Sequence, residues 1–446
     1  MSNPSSDFFK MILREKLADS FRPPSSTMVT RQIDGKIRLP QKATAIIGMR
    51  RAGKTTLLHQ LRREQHERGT PYTHLPYLNF EDERLAGIEA DALGFLLTEH
   101  AQIIADARSK KPILWCFDEI QLVPKWEQFV RRILDSSGYE VCVSGSSATM
   151  LSTEIATSLR GRGWSVPLYP FRFSEYLSAH GLGDRFSKKA PLVIKERAKL
   201  ESEFKKWLRV GGFPEAQHLA AAERARLLND YVDVAILRDV VERHNVSNIA
   251  ALRWLVRHLL GNAGGLFSAE KFYAALKSQG LSVSKDTVHQ LLAYVEDCFL
   301  VRTVWMDTES ERKRMSNLRK IYPIDSGFIP LFDRSGRSNI GHALENAVLI
   351  ELERRHQHVR YVRTENGFEV DFCAYGTNNN VELIQVCADA SDPKVAEREI
   401  RALQDAAPNY PKAKKKILTL SQDGLPSSTP RGITAQTAYE WMLYRC

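Results

Sequence analysis

The chain contains no C-x-x-C pair, no G-x-S-x-G elbow and no apolar run close to the length of a membrane span. Its six cysteines, at positions 116, 142, 298, 373, 387 and 446, are scattered. That spacing offers neither a disulfide framework nor paired zinc ligands, and several of the cysteines lie in strand-like apolar runs, as buried free thiols do. A reducing, cytoplasmic setting follows. Lack of an elbow or a Ser/His/Asp set removes the serine hydrolases, and lack of a long apolar run predicts no membrane partner. No fixed-period repeat is present. Residues 1–24 mix acids and bases and read as neither a secretory nor a transit sequence.

With 446 residues and 43% hydrophobic content, the chain is long enough for two to four domains with substantial cores. The formal net charge of +10 suits a polyanion partner, provided the charge clusters.

The most specific signal is Gly48-Met49-Arg50-Arg51-Ala52-Gly53-Lys54-Thr55, which fits G-x-x-x-x-G-K-[ST] at every defined position. A short apolar strand, 43–47, precedes it, and Thr56 opens a helical pattern after it. Glycines let backbone N–H groups curl round an anion, and the helix N-terminus adds partial positive charge. Gly48, Arg50, Arg51, Ala52, Gly53, Lys54, Thr55 and Thr56 therefore form the expected phosphate cradle. Lys54 is expected to reach the outer phosphates, and the Thr55 hydroxyl to face Mg²⁺.

About sixty residues on, an apolar strand ends in Asp118-Glu119, the second half of a nucleoside triphosphate site. Asp118 is assigned to the Mg²⁺ shell and Glu119 to the attacking water. The strand 140–144 ends in small polar residues, read either as a serine-rich turn or as a place where Ser144 or Ser146 senses the phosphate. Asn79 is read either as a turn cap or as a gate on Glu119. Arg162, with Arg160 as second choice, lies where ring-forming ATPases project an arginine into a neighbouring subunit. The chain lacks an Asn/Thr-Lys-x-Asp guanine signature, which favours ATP.

Together with Asn79-Phe80-Glu81-Asp82-Glu83, Asp118-Glu119-Ile120-Gln121, Ser144-Gly145-Ser146-Ser147, Gly161-Arg162, Tyr169-Pro170-Phe171 and Gly211-Gly212-Phe213-Pro214, the loop resembles the prokaryotic AAA-type ATPases with a C-terminal domain of unknown function. The resemblance covers most of the chain. It implies an α/β fold: a P-loop NTPase core with a helical lid, a winged helix-turn-helix and a C-terminal α/β domain similar to restriction endonucleases. The expected segments are 1–175 for the core with an N-terminal arm, 176–246 for lid and linker, 247–320 for the winged helix and 321–446 for the nuclease-like part.

Within the winged helix, Lys285, Thr287, His289 and Gln290 start the third helix, where DNA contacts are made. Arg312-Lys313-Arg314 and Arg319-Lys320 read as a basic patch for backbone phosphates. In the last segment Glu345 lies on a helix, and Glu369 and Asp371 share one strand face. A nuclease metal site would use Glu345 and Asp371. Gln385 and Cys387 stand where the (E/Q)-x-K pair belongs, and cysteine supplies no ammonium, so the segment reads as a degenerate nuclease fold unless Lys320 or Lys394 takes the role.

The reading is a homo-oligomeric, Mg²⁺-dependent ATPase that couples turnover to DNA binding or remodelling. Two alternatives stay open: a nucleotide-gated switch acting on a protein partner, and an ATP-regulated nuclease.

Overall fold

Ala43–Ile47 (β1) carries no charge and every side chain is buried, as a strand covered on both faces requires. Tyr77–Asn79 (β2), Ile113–Asp118 (β3), Tyr139–Gly145 (β4) and Gly163–Pro167 (β5) join it in a five-stranded sheet. The strand order is β2-β3-β4-β1-β5 and every pairing is parallel. The computed structural model describes residues 4–24, 28–104, 111–136, 138–146, 159, 161–186, 192–310, 318–333, 339–355, 358–376 and 380–444. The chain divides into two compact units, Met1–Leu168 and Tyr169–Cys446.

In the first unit, helices Lys54–Glu67, Gly94–Ile104 and Trp126–Leu134 cross between strands. The last buries Trp126, Phe129, Val130 and Ile133, the i, i+3, i+4, i+7 stripe of an amphipathic helix. Leu57, Leu58 and Leu61 pack on Ile46, Leu114, Cys116 and Cys142. Those two cysteines are buried free thiols, as are Cys298 and Cys373. Register fixes what meets at one sheet edge: Asn79 pairs with Asp118, Ile46 with Ser144, and Ile47 with Gly145. The carboxyl ends of β1 to β4 therefore converge, which is where open α/β sheets bind ligands.

The second unit holds an eight-stranded mixed sheet: Leu266–Phe267 (β6), Val301–Met306 (β7), Arg319–Pro323 (β8), His358–Arg363 (β9), Glu369–Tyr375 (β10), Val381–Cys387 (β11), Lys414–Thr419 (β12) and Ile433–Thr437 (β13). Its order is β13-β12-β11-β10-β9-β7-β8-β6. Helices Ile249–Gly261, Ala269–Ser278 and Lys285–Asp297 are capped by the side chains of Asn248, Ser268 and Ser284. With β6, β7 and β8 they give the helix–strand–helix–helix–strand–strand order of a winged helix. β7 also pairs with β9 through Trp305–Arg360 and Met306–Tyr361, so the wing strands and the C-terminal strands form one sheet. Phe173, Phe204 and Trp207 from the helices that start this unit share a single apolar core with Tyr322, Phe372, Ile384, Tyr439 and Trp441. Among the described residues no helix is long and apolar enough to cross a membrane.

Candidate functional site

The turn after β1 needs glycine at its first position for a steric reason: a Cβ on Gly48 would lie 2.2 Å from the Leu168 carbonyl oxygen. Gly53 has φ 99° and caps helix Lys54–Glu67, a left-handed conformation that glycine adopts without a Cβ penalty. Helix N-terminus and loop thus meet at the carboxyl edge of the sheet, the arrangement that cradles an anion. Arg50, at the loop's outer face, donates to Glu81 at 2.7 Å.

Lys54 is only 5% exposed. Its ammonium donates to the carbonyls of Gly48 at 3.1 Å and Met49 at 3.4 Å, and stands 3.4 Å from Glu119 Oε1. The contacts to Met49 and Glu119 are long, so the ammonium can trade them for phosphate oxygens. Glu119 sits in the left-handed region at φ 51° and receives Gln121 Nε2 on its other oxygen at 2.5 Å. Burial works against its charge, but Lys54, Gln121 and Arg50 outweigh burial and hold the carboxyl below its ordinary range.

Asp118 gathers three hydroxyls. Thr55 donates to Oδ2 at 2.6 Å, Tyr77 donates to Oδ2 at 2.8 Å, and Ser144 donates to Oδ1. Ser144 also accepts from the Glu119 N–H at 3.1 Å, tying β4 to both acids. Adjacent oxygens of Thr55 and Asp118, on rigid elements, are the donor chemistry a hard divalent cation takes. They fit Mg²⁺.

The remaining sequence candidates sort by position. Asn79 accepts from the Glu81 N–H at 2.8 Å, the contact of a turn cap. Ser146 is fully buried. Arg162 precedes β5 and pairs with Asp135; because Gly163 lies beside Ala43, this is the sheet edge opposite Gly48. Arg160, Ser147 and Arg312-Lys313-Arg314 lie outside the described residues. Tyr77 and Arg31 went unnoticed as site residues in the sequence, and Gln121 was quoted in a motif without a role. Arg31, 4% exposed, donates to the Ala52 carbonyl at 2.5 Å and so braces the loop from behind, yet sits in a stretch with no motif.

In the second unit the basic patch needs correction. Alternation along β8 turns its neighbouring basic residues in opposite directions. Arg319 stacks over the Trp305 ring at 3.9 Å, and Lys320 points inward at 4% exposure. The Lys320 ammonium lies 3.2 Å from Glu345, 2.8 Å from Glu369 and 3.2 Å from Asp371. Burial opposes its charge, but the three acids prevail and raise its pKa. Glu345 also receives the Tyr322 hydroxyl at 2.6 Å, and Asp371 the Val386 N–H at 3.0 Å. Gln385 bonds Glu399 at 2.5 Å, Cys387 turns its thiol to the Asp389 carbonyl at 3.1 Å, and Lys394 is exposed. Of the two lysines considered for this cluster, the fold brings in Lys320. On the third helix Lys285 pairs with Glu270 at 2.9 Å and Thr287 bonds the capping Ser284 at 2.8 Å, while His289 and Gln290 are exposed.

A family model described as an AAA domain matches residues 40–177, and one described as a domain of unknown function (DUF8612) matches residues 201–335. The uncharacterized protein MJ1544 of Methanocaldococcus jannaschii is 33% identical over 428 residues, covering 94% of this chain and 91% of that protein. An uncharacterized protein of Haemophilus influenzae is 29% identical over 331 residues, 74% of this chain and 78% of that one. Among solved structures, the Walker-type ATPase paby2304 of Pyrococcus abyssi aligns with a TM-score of 0.41 at 13% identity, covering 73% of this chain and 95% of that chain. The match to MJ1544 runs through both units, and this chain belongs with it to one family of prokaryotic AAA-type P-loop ATPases.

Proposed function

We propose that the protein binds ATP on the loop of the first unit and hydrolyses it with Mg²⁺. The observation that carries this reading is the meeting of two distant motifs, Thr55 within 2.6 Å of Asp118 and Lys54 within 3.4 Å of Glu119. Thr55 and Asp118 would hold the Mg²⁺, which supplies charge neutralisation on the phosphate oxygens. Lys54 and the loop N–H groups bind and orient the outer phosphates. Glu119, ionised at neutral pH, orients the attacking water and accepts its proton, while Gln121 keeps the carboxylate from swinging away. Ser144, bonded to both acids, transmits the state of the site to β4. Arg162 lies beyond reach of its own loop, so it would complete the site of a second copy. Mixing Arg162→Ala with Glu119→Gln subunits tests this: unrestored activity removes the shared site.

Calorimetry of ATP with Mg²⁺, on the parent and Lys54→Ala, is the first test. Binding in the parent and none in the variant is expected; no heat in the parent overturns the reading.

Turnover is coupled to DNA in this proposal, supported by the winged-helix order and by the exposed His289 and Gln290. ATPase rates with and without duplex and single-stranded DNA decide it. Equal rates would favour a switch acting on a protein partner. The acid cluster is a nuclease-like arrangement without catalysis, because Lys320 is saturated by three carboxylates and Cys387 supplies no charge. Mg²⁺-dependent plasmid nicking that Asp371→Ala abolishes would reverse that statement. A cytoplasmic site of action agrees with the free thiols.

A further inference from the structure

We infer that the second unit carries a separate binding groove for the phosphate backbone of a nucleic acid, on helix Ile194–Val210 and the start of helix Ala221–Val234. An open groove of about 420 Å³ is lined there by Ser202, Lys205, Lys206, Arg209, Val210 and Arg224. Four of its six lining residues are cations, and none of the four makes an ion pair among the described residues. The acids of the same helix face elsewhere. Glu203 is buried and accepts from Tyr176 at 2.9 Å and Lys199 at 2.6 Å. Glu201 accepts from Tyr439 at 3.1 Å, and Glu196 pairs with Arg185 at 3.3 Å. What remains outward at the groove is a cluster of like charge, offset at Lys206 by the nearby Glu203 and otherwise costly unless an anion meets it.

The cluster is longer than the groove. Lys195, Ser202, Lys206 and Arg209 recur at helical spacing and are all exposed, with Lys199, the partner of Glu203, on the same face. From first to last they span about 21 Å at 1.5 Å per residue. A single small anion uses a fraction of that length, whereas a polymer with evenly spaced phosphates meets several cations at once. The groove is open rather than closed, and its floor of Val210 and lysine stems accepts a sugar edge without demanding a particular base. Such a surface binds backbone and reads no sequence. It also replaces contacts that the wing strand cannot give, since Arg319 and Lys320 are turned to Trp305 and the acid cluster. The inference takes its partner class from the nucleic-acid reading above but uses different residues.

The test is fluorescence anisotropy of a labelled 30-nucleotide single strand and a 30-base-pair duplex across a salt series. The full-length parent, a Lys206→Ala/Arg209→Ala variant and a Lys285→Glu/His289→Glu variant are compared, each checked for an unchanged melting curve. Loss at the groove should weaken binding about tenfold or more and lower the slope of log affinity against log salt by about 0.9 for each duplex phosphate contact removed. ATP turnover without DNA should not change. Unaltered affinity and slope in the groove variant, with loss confined to the winged-helix variant, overturns this inference and leaves the coupling proposal standing. A parent that binds neither nucleic acid removes both, as does binding only to phosphatidylserine vesicles, and calorimetry with ATP then judges the nucleotide site alone.

Discussion

Each unit of this protein buries a lysine with carboxylate contact, and the two lysines are held differently. Lys54 at 5% exposure has one acid at 3.4 Å and two carbonyls at 3.1 and 3.4 Å. Lys320 at 4% exposure has three acids, all within 3.2 Å. Burial is equal, so burial does not distinguish a working cation from a fixed one. The difference lies in saturation. Lys54 keeps two contacts at 3.4 Å that a phosphate can replace, at the mouth of the glycine loop. Lys320 has no bonding capacity left over, and its acids are themselves bonded by Tyr322 and Val386.

Changes at the nucleotide site should act on chemistry more than on folding. Glu119→Gln is nearly isosteric and removes only the proton acceptor. Turnover should fall on the order of 10²–10⁴-fold, with ATP affinity changed only a few-fold, as steady-state phosphate release and calorimetry would report. A variant that still turns over at the parent rate would mean that water is activated elsewhere, and the parallel with a saturated cluster would lose its basis.

Lys320→Met reverses the pattern. Removing the cation leaves Glu345 and Asp371 crowded and largely buried, beside the partly exposed Glu369, which costs about 3 kcal/mol. Urea unfolding followed by tryptophan fluorescence should show that loss, while ATP turnover at the first unit continues in whatever fraction stays folded. Lys54→Met should lose less stability and all nucleotide binding. If Lys320→Met melts with the parent, the ammonium is not the counter-ion of the cluster.

The acids give a smaller, pH-dependent signature. Burial first, then the charge of Glu345, pushes the Asp371 carboxyl up to about 7, against the pull of Lys320 and the Val386 N–H. A carboxyl whose folded value lies above its unfolded value, near 3.9, binds its proton more tightly in the folded chain. Its contribution is full below about pH 4 and is lost as pH rises through about 7, at most about 1.4 kcal/mol per pH unit. Asp325, raised to about 6 chiefly by burial, has the same sign over a narrower window. Urea midpoints at pH 5, 6 and 7 should therefore decline, and Asp371→Asn should flatten the part above pH 6.

How far the sequence spoke for itself also divides along these lines. The loop was legible because eight consecutive residues carry it, and Asp118-Glu119 because a charged pair ends an apolar strand. Three of the five strands in the first unit, those at 43–47, before Asp118 and at 140–144, follow from short apolar runs. Lys320 was harder. Arg319 and Lys320 look like one basic patch in a linear reading, yet strand alternation sends them to opposite faces, and only the pairing of β8 with its neighbours says which face is inside. The continuous sheet from wing to C-terminal strands rests on β7 with β9, a pairing between residues more than fifty positions apart. No local pattern encodes it.

Tyr77 is the sharpest case of a missed residue, and it yields the smallest prediction. It looks like an ordinary strand aromatic. Parallel pairing places it opposite Cys116 and two positions before the Asn79–Asp118 pair, so its hydroxyl reaches over the strand end to Asp118 Oδ2 at 2.8 Å. Burial, then Asp118, raises its pKa well above the ordinary phenol range, so the group stays a proton donor at any workable pH. Its role is to orient the carboxylate that Thr55 also meets. Tyr77→Phe keeps the ring against His59, 4.3 Å between centroids, and deletes that one bond. About 1 kcal/mol is at stake, a roughly fivefold weaker Mg²⁺ dependence of turnover, with the maximal rate at saturating Mg²⁺ restored. A fall in maximal rate that Mg²⁺ does not restore would instead put Tyr77 in the packing of the strand, and Asp118 would then be oriented by Thr55 and Ser144 alone.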